Sequence, residues 1–168
     1  MTEPIYNPEE PRYAVAVPVK TLDSLRSDPV LQLSVFTENK VGRLLDLVKL
    51  FEDQNVHVVA LTSLDASEIS ITRFVLDDPQ KAKDLLQEQA ISFAETHLLV
   101  VEIDAMTDLH KVLACLLQTE INIHYIYPFI GRPKGKSALA IHLEDEELAT
   151  QVLLENQFRV LTQRDISR

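Results

Sequence analysis

The chain has a single cysteine and three glycines, and both shortages exclude classes of protein. One thiol cannot form an internal disulfide framework and fits a reducing compartment, so we expect a cytoplasmic location. Three glycines leave no glycine-rich loop of the kind that cradles phosphates. No apolar run approaches the roughly 20 residues that span a bilayer, and the N-terminus lacks the basic and apolar regions of a signal peptide.

Positive charge is also scarce. The 168 residues carry 16 Lys and Arg against 26 Asp and Glu, which gives a formal net charge of −10 at pH 7. Such a surface repels the phosphates of nucleic acids and the headgroups of anionic lipids, so we expect neither nucleic acid nor a membrane as a partner. The hydrophobic content of 46% and the charged content of 25% are those of an ordinary globular protein with one or two domains.

Residue patterns typical of catalysis or metal binding are missing as well. The five histidines include no pair at the i, i+4 spacing of a helical zinc site. Cys115 falls at an apolar position of a predicted helix, which favours a buried structural thiol over a nucleophile. We therefore expect no metal, no cofactor and no enzymatic activity.

What the chain does contain is an internal repeat. Four apolar residues at the i, i+3, i+4, i+7 spacing of an amphipathic helix recur 65 positions later, where Leu44, Leu47, Val48 and Phe51 match Leu109, Val112, Leu113 and Leu116. At the same offset, Val35 matches Val100 and Asn39 matches Asp104. In the last helix the offset becomes 67, which places two additional residues of the second copy in the segment 131–135. An offset held over several elements indicates a duplicated domain.

Each copy reads as strand, helix, strand, strand, helix, strand, which is the split βαβ or ferredoxin-like motif. In the first copy we predict helices at 42–54 and 79–89 and strands at 31–37, 56–63, 69–76 and 91–94. In the second copy we predict helices at 108–119 and 144–156 and strands at 97–103, 121–129, 137–143 and 158–161. The fold class is therefore α+β, with two βαββαβ domains in tandem, antiparallel sheets, and the helices on one face. We expect an N-terminal extension at 1–29, a first domain at 30–96 and a second domain at 97–168.

The N-terminal extension and the free face of the sheets are less regular in sequence. Residues 1–29 hold five of the eight prolines, so we expect little regular structure there beyond a short strand at 13–17 and a helical turn at 21–26. Tyr125 and Tyr127 alternate with His124 and Ile126 on the second strand of the second copy, so both faces of that sheet carry large side chains. We therefore expect the two copies to pack together as an intramolecular pseudo-dimer.

The turn at Gly42 has the features of a binding element. A glycine before the first helix supplies no capping side chain and admits close approach, so the backbone N–H groups at the helix start are available to an anion. Thr107 takes the place of this glycine in the second copy and is expected to cap its own helix, while Asp108 brings a negative charge there. The first copy is therefore the better candidate for binding, and a plain tight turn is the alternative.

The segment 38–44, with the sequence ENKVGRL, and the segment 55–60, with the sequence NVHVVA, resemble the opening of an ACT domain. The first loop of that family runs from Asp or Asn through two residues to Gly and then to Leu or Ile, and Val41 stands where many members have proline. The resemblance covers both copies, from about residue 30 to the C-terminus. It implies a stand-alone tandem-ACT protein, a regulatory protein without enzymatic activity that binds a small ligand at an ACT–ACT interface.

The resemblance also implies the residues of the site. Its ligand loop would consist of Asn39, Lys40, Val41, Gly42, Arg43 and Leu44. Apart from the resemblance, His124, Tyr125 and Tyr127 of the second copy are candidates for an opposing wall. The expected partners are an amino acid or related metabolite, a second copy of the chain in a homodimer, and a regulated protein that the sequence does not identify. For Asn39, contact with a ligand and a local Asx-turn are equally open. The alternative function is a ligand-independent module for oligomerisation or protein interaction, and an enzyme ranks third because the same topology hosts catalysts.

Overall fold

The structure is a computed structural model that describes Leu25 and residues 28–66, 68–104 and 106–167. The chain begins with β1 (Val30–Glu38), α1 (Arg43–Glu52), β2 (Val58–Ala66), β3 (Ile69–Leu76), α2 (Pro79–Glu88) and β4 (Phe93–Ile103). It continues with α3 (Met106–Gln118), β5 (Ile123–Pro128), a 3-10 turn (Pro133–Gly135), β6 (Ser137–Leu143), α4 (Glu146–Glu155), β7 (Val160–Leu161) and α5 (Gln163–Ile166). The strand predicted at 13–17 lies outside the described residues, as does the helical turn predicted at 21–26 except for Leu25.

This order of elements confirms the α+β fold with two βαββαβ units. The strands are antiparallel in the order β2-β3-β1-β4-β6-β5, and β7 also pairs with β4. Both helices of the first unit pack on one face of its strands around a core that includes Leu33, Phe51, Phe74 and Leu86. The edge of one ring meets the face of the other in the pair of Phe51 and Phe74, whose centroids are 5.3 Å apart. The helix-side core of the second unit has the same arrangement, with Val101, Val112, Leu116, Ile141 and Leu153.

β4 belongs to both units, whereas two separate strands were predicted at 91–94 and 97–103. Its first part pairs with β1, and its second part pairs with β6 and β7. The prediction of two strands was wrong because the residues between them include no glycine, proline or other turn-forming residue that would break the backbone. The pairing changes between Leu98 and Leu99, close to the predicted division between residues 96 and 97. That division stays a prediction.

The face of the sheet away from the helices is buried between the two units, as the predicted pseudo-dimer requires. An inter-unit core there contains Val30, Val59, Ala60, Val75, Leu98, Val100, Tyr127, Ala138, Ala140, Leu161 and Ile166. The sheet folds back on itself, because the carbonyl of Val59 in β2 accepts hydrogen bonds from the N–H groups of Ile130 and Gly131 after β5, at 2.8 and 2.9 Å. The helices therefore lie outside, and the part of the sheet surface formed by this inter-unit core is enclosed between the units.

A β-bulge in the second strand of each unit changes which side chains face the helices. The register shifts between Val58 and Ala60 in β2 and between Ile123 and Tyr125 in β5. Ile123 therefore packs on the helix-side core, whereas Tyr125 packs on the inter-unit core. Alternation alone would place Ile123 and Tyr125 on the same face, but the additional residue of the bulge moves every later side chain of the strand to the opposite face.

The repeat also differs from its predicted offset in the first strand. Val35 and Val101 both face the helices of their units, so Val35 corresponds to Val101 and not to Val100. The turn before α3 is consequently shorter than the turn before α1. α3 begins at Met106, which places Thr107 inside the helix and not at its cap.

Candidate ligand site

The turn between β1 and α1 is built around Gly42. Gly42 occupies the N-cap position with φ of 91° and ψ of −15°, and no side chain caps the helix. A Cβ added at Gly42 would meet nothing within 4 Å, so the backbone conformation, and not a lack of space, favours glycine here. The glycine therefore leaves open space beside the first turn of α1.

The backbone N–H groups of this turn fall into two sets. The N–H groups of Asn39, Lys40 and Arg43 donate to the carbonyls of Glu68, Glu38 and Lys40, at 3.0, 2.9 and 3.3 Å. Within the described part of the chain, the N–H groups of Leu44 and Leu45 have no acceptor. Unsatisfied N–H groups and the positive end of the helix dipole make this helix start suited to a carboxylate.

These N–H groups border an open cleft of about 560 Å³ between the turn, α1 and the β2–β3 hairpin. The turn contributes Glu38, Asn39, Lys40, Gly42 and Arg43, and α1 contributes Leu44, Leu45 and Val48. The strands contribute Thr37, Ser63, Ser70 and Thr72. The cleft thus combines charged groups near the turn, aliphatic groups on the helix and hydroxyl groups on the strands.

The charged groups of the turn pair with one another. The Lys40 ammonium contacts the carboxylate of Glu38, and its hydrogen bond and charge lower the pKa of Glu38. The Arg43 guanidinium lies 3.9 Å from the carboxylate of Asp46. These are exposed pairs that a charged ligand can rearrange at small cost.

Asn39 makes hydrogen bonds to the β2–β3 hairpin. Its side-chain amide donates to Oδ1 of Asp65 at 2.7 Å, and its backbone N–H donates to the carbonyl of Glu68. Asn39 therefore connects the turn to the β2–β3 hairpin, which are two sides of the cleft.

Tyr125 and Tyr127 lie elsewhere in the chain, in a buried polar network between the units. The Tyr127 hydroxyl donates to Oε1 of Gln32 at 2.7 Å, and Nε2 of Gln32 donates to the Tyr125 hydroxyl at 2.8 Å. The Arg73 guanidinium lies 4.0 Å from the centroid of the Tyr125 ring, which is a cation–π contact. Burial raises the pKa of Tyr127. Sequence reasoning missed Gln32, although a glutamine within the apolar stretch VLQLSV is a visible signal for a buried polar contact.

His124 also lies away from the Gly42 turn. Its ring centroid is 4.9 Å from that of His142, whose ring stacks on Tyr125 at the same centroid distance. Nδ1 of His142 is enclosed and has no hydrogen-bond partner in the described structure. Burial lowers the pKa of His142, and the nearby His124 and Arg73 lower it further. Within one chain, none of the three residues predicted as an opposing wall lines the cleft.

The corresponding region of the second unit contains a network of internal ion pairs beside an open pocket of about 420 Å³. The Asp108 side chain accepts from the N–H of Asp104 at 3.0 Å and lies 3.1 Å from the ammonium of Lys111. Lys136 contacts Asp104 at 2.8 Å and Glu102 at 3.4 Å, and these hydrogen bonds raise the pKa of Lys136. In the second unit a carboxylate of the chain itself, that of Asp108, therefore binds a backbone N–H before the helix, whereas no side chain caps α1.

Comparison with known proteins agrees with this architecture. The family model described as an ACT domain pair matches residues 29–168. Protein BT0572 from Bacteroides thetaiotaomicron has a similar crystal structure, with a TM-score of 0.75, 26% sequence identity, and coverage of 83% of this chain and 96% of that chain. The ligand-free regulatory subunit of aspartate kinase from Thermus thermophilus is similar in fold, with a TM-score of 0.54, 12% identity, and coverage of 77% and 92%.

No curated protein matches the chain in sequence. Among the described residues, no helix has the length and apolar character needed to cross a membrane. In the same residues, no group of three or more His, Cys, Asp and Glu side chains is placed to hold a metal ion.

Proposed function

The chain belongs to the family of ACT domain pairs, and from this membership we propose that it is a non-enzymatic regulatory protein that binds an amino acid or a related metabolite at the Gly42 turn. The observation that carries the proposal is the cleft beside α1, where two backbone N–H groups at the helix start have no acceptor in the described residues. The internal ion pairs in the second unit favour the first unit as the binding unit.

The chemistry of the cleft suits both charged groups of an amino acid. Its carboxylate would accept hydrogen bonds from the N–H groups of Leu44 and Leu45, in the favourable field of the helix dipole. Arg43 is near enough to the turn to add a positive charge. The ammonium group would lie toward the carboxylate of Glu38, which lines the cleft.

The opening of the cleft is surrounded by exposed apolar side chains, which supports a site shared between two chains. Val41 is fully exposed, and Leu44 and Leu45 are 42% and 55% exposed. Apolar side chains grouped at the surface are typical of an interaction site. We propose that a second copy covers the cleft in a homodimer, so that residues of the partner chain form the wall that this chain does not provide.

Regulation would follow from linkage between ligand binding and dimer formation. A ligand that contacts both copies binds the dimer more tightly than the monomer, and it therefore shifts the population toward the dimer. A regulated protein would then recognise the surface that dimer formation creates or covers.

A second candidate function, a ligand-independent interaction module, has its own supporting observation. Phe36, Ile71 and Leu64 are register partners across β1, β3 and β2, on the face away from the helices. Phe36 is 38% exposed and Leu64 is 48% exposed. This apolar row provides a docking surface that needs no small molecule, and under this alternative the Gly42 turn stays empty.

Thermal unfolding in the presence of each of the twenty amino acids tests the proposal. A ligand at 100 times its Kd adds about 2.7 kcal/mol to the free energy of unfolding, which corresponds to roughly 5–10 °C in Tm for a chain of this size. Sedimentation velocity on the same samples measures whether the ligand favours the dimer. If no amino acid or related metabolite raises the Tm, the ligand-independent module is the better description.

Gly42 offers a sharp variant with a matched control. G42D places a carboxylate beside the N–H groups of α1, so we expect it to abolish the ligand-induced rise in Tm. Gly135 also has a positive φ, 79°, and a Cβ there would also meet nothing within 4 Å, so G135D carries a similar backbone strain away from the cleft. A ligand response that survives in G42D, or disappears in both variants, would contradict binding at this turn.

A further inference from the structure

Three hydroxyl groups form a row on the strand side of the cleft. Ser63 of β2 and Thr72 of β3 are register partners, and Ser70 lies two residues before Thr72 on the same face. The Ser63 hydroxyl is 3.5 Å from the hydroxyls of both Ser70 and Thr72. All three line the cleft opposite the aliphatic residues of α1.

The hydrogen-bonding capacity of these hydroxyls is largely unused. Hydroxyl–hydroxyl hydrogen bonds have oxygen–oxygen distances near 2.7–2.8 Å, so contacts at 3.5 Å are weak. Thr72 is only 2% exposed, which leaves its hydroxyl little access to bulk water. A buried hydroxyl without a good partner is costly, and such a group in a cleft is expected to bind a molecule that enters it.

The second unit keeps only one hydroxyl of this row, that of Ser137, which lies two residues before Leu139 and takes the position of Ser70. Strand register places Leu139 at the position of Thr72, because Thr72 pairs with Val35 and Leu139 pairs with Val101. Pro128 pairs with Leu139 and takes the position of Ser63. Leu139 is buried in the helix-side core, as expected for a strand residue beneath a helix. The complete row of three hydroxyls therefore occurs in the unit that has the glycine turn with available N–H groups, whereas the second unit has one of the three.

We propose that Ser63, Ser70 and Thr72 determine ligand specificity, and that they select an amino acid with a neutral polar side chain, either a hydroxyl or a carboxamide. The proposal rests on the function proposed above and specifies its ligand class. A hydroxyl group both donates and accepts, so the row complements side chains that do the same.

Apolar and charged side chains fit this surface less well. An apolar side chain would cover the Thr72 hydroxyl without offering it a partner. A charged side chain would lose water and meet only neutral hydroxyls on the strands, because Glu38, Lys40 and Arg43, the charged residues that line the cleft, belong to the turn and its flanks. The specificity is therefore set by hydrogen bonding at the strands, while the turn holds the groups that all amino acids share.

Isothermal titration calorimetry with pairs of similar shape tests the specificity. We expect L-threonine to bind at least roughly tenfold more tightly than L-valine, or L-asparagine to bind at least roughly tenfold more tightly than L-leucine. One good hydrogen bond provides a difference in affinity of this size. T72V keeps the shape of Thr72 and S63A changes an exposed position, so we expect both variants to fold. In each variant, the ratio of the affinity for the polar ligand to the affinity for its apolar counterpart should fall toward one. S137A removes a serine of β6 outside the cleft and should leave all affinities unchanged.

Two different results would overturn the inference, and they are distinguishable. If L-valine, L-leucine, L-aspartate or L-lysine binds most tightly, or if T72V and S63A keep the full preference, the hydroxyls do not select the ligand, although the Gly42 site still stands. If neither the twenty amino acids nor related metabolites bind, the proposed function itself is wrong, and the proposed ligand class is wrong with it.

Discussion

Replacing Gln32 by leucine tests whether the buried polar network holds the two units together. Gln32 is fully buried, and its side-chain amide binds the hydroxyls of Tyr125 and Tyr127 from the second unit and the Ser34 hydroxyl at 3.2 Å. Leucine has a similar volume, so Q32L creates little cavity. It removes the acceptor of Tyr127 and the donor to Tyr125 at once.

The expected loss follows from what is left without a partner. Tyr127 is only 6% exposed, so its hydroxyl cannot exchange the lost hydrogen bond for one to water. An unsatisfied buried hydroxyl costs about 1–3 kcal/mol, and Tyr125, which is partly exposed, adds less. The leucine side chain recovers part of this by burying apolar surface. We therefore expect Q32L to lower the free energy of unfolding by about 2–3 kcal/mol.

Urea unfolding followed by circular dichroism measures this loss, and a double-mutant cycle assigns it to the network. Y127F alone leaves Oε1 of Gln32 without its donor, whereas Q32L with Y127F leaves no such mismatch between the two positions. The double variant should therefore lose at least about 1 kcal/mol less than the sum of the two single losses. Q151L, on the exposed surface of α4, is the control and should stay within about 0.5 kcal/mol of the wild type. A loss in Q32L no larger than the control, or strictly additive losses, would refute the reasoning.

Two further predictions concern charge. The folded-state pKa of His142 is lowered below its ordinary value of 6.5. As the pH falls, the unfolded chain therefore binds a proton at this residue before the folded chain does, and His142 should reduce the free energy of unfolding progressively below about pH 6.5. H142F should flatten the decline of the free energy of urea unfolding between about pH 7.5 and pH 5, and an unchanged slope would contradict this assignment. Asp78 caps α2 by accepting from the N–H of Lys81 at 3.0 Å, so D78A should cost about 1 kcal/mol in the same assay, while D84A on the exposed surface of that helix should change it by less than about 0.5 kcal/mol.

Much of the fold could be predicted from the sequence because the signals are local. β3 and β6 have the predicted bounds, and α2 begins at Pro79 after its Asp78 cap, as proline and an acidic N-cap indicate. The short helix α5 was missed, although Thr162 and Asp165 form a capping box at its start. That signal is also local, and it was available in the sequence.

The remaining features depend on how strands pair, which periodicity does not specify. The bulges in β2 and β5 and the continuous β4 depend on hydrogen bonds to partner strands. The same reason explains the site. The Gly42 turn could be predicted because its chemistry lies within seven consecutive residues. The hydroxyl row of Ser63, Ser70 and Thr72 could not, because it forms only when two strands meet in register.

The continuous strand β4 has a consequence for how a signal can pass through the chain. If one unit rotated against the other, main-chain hydrogen bonds along β4, the strand that both units share, would have to break. The two units are thus expected to move together as one body and not about a hinge. A ligand bound in the cleft of the first unit is therefore expected to change which proteins bind to the outer surface of the molecule. We do not expect it to separate the two units.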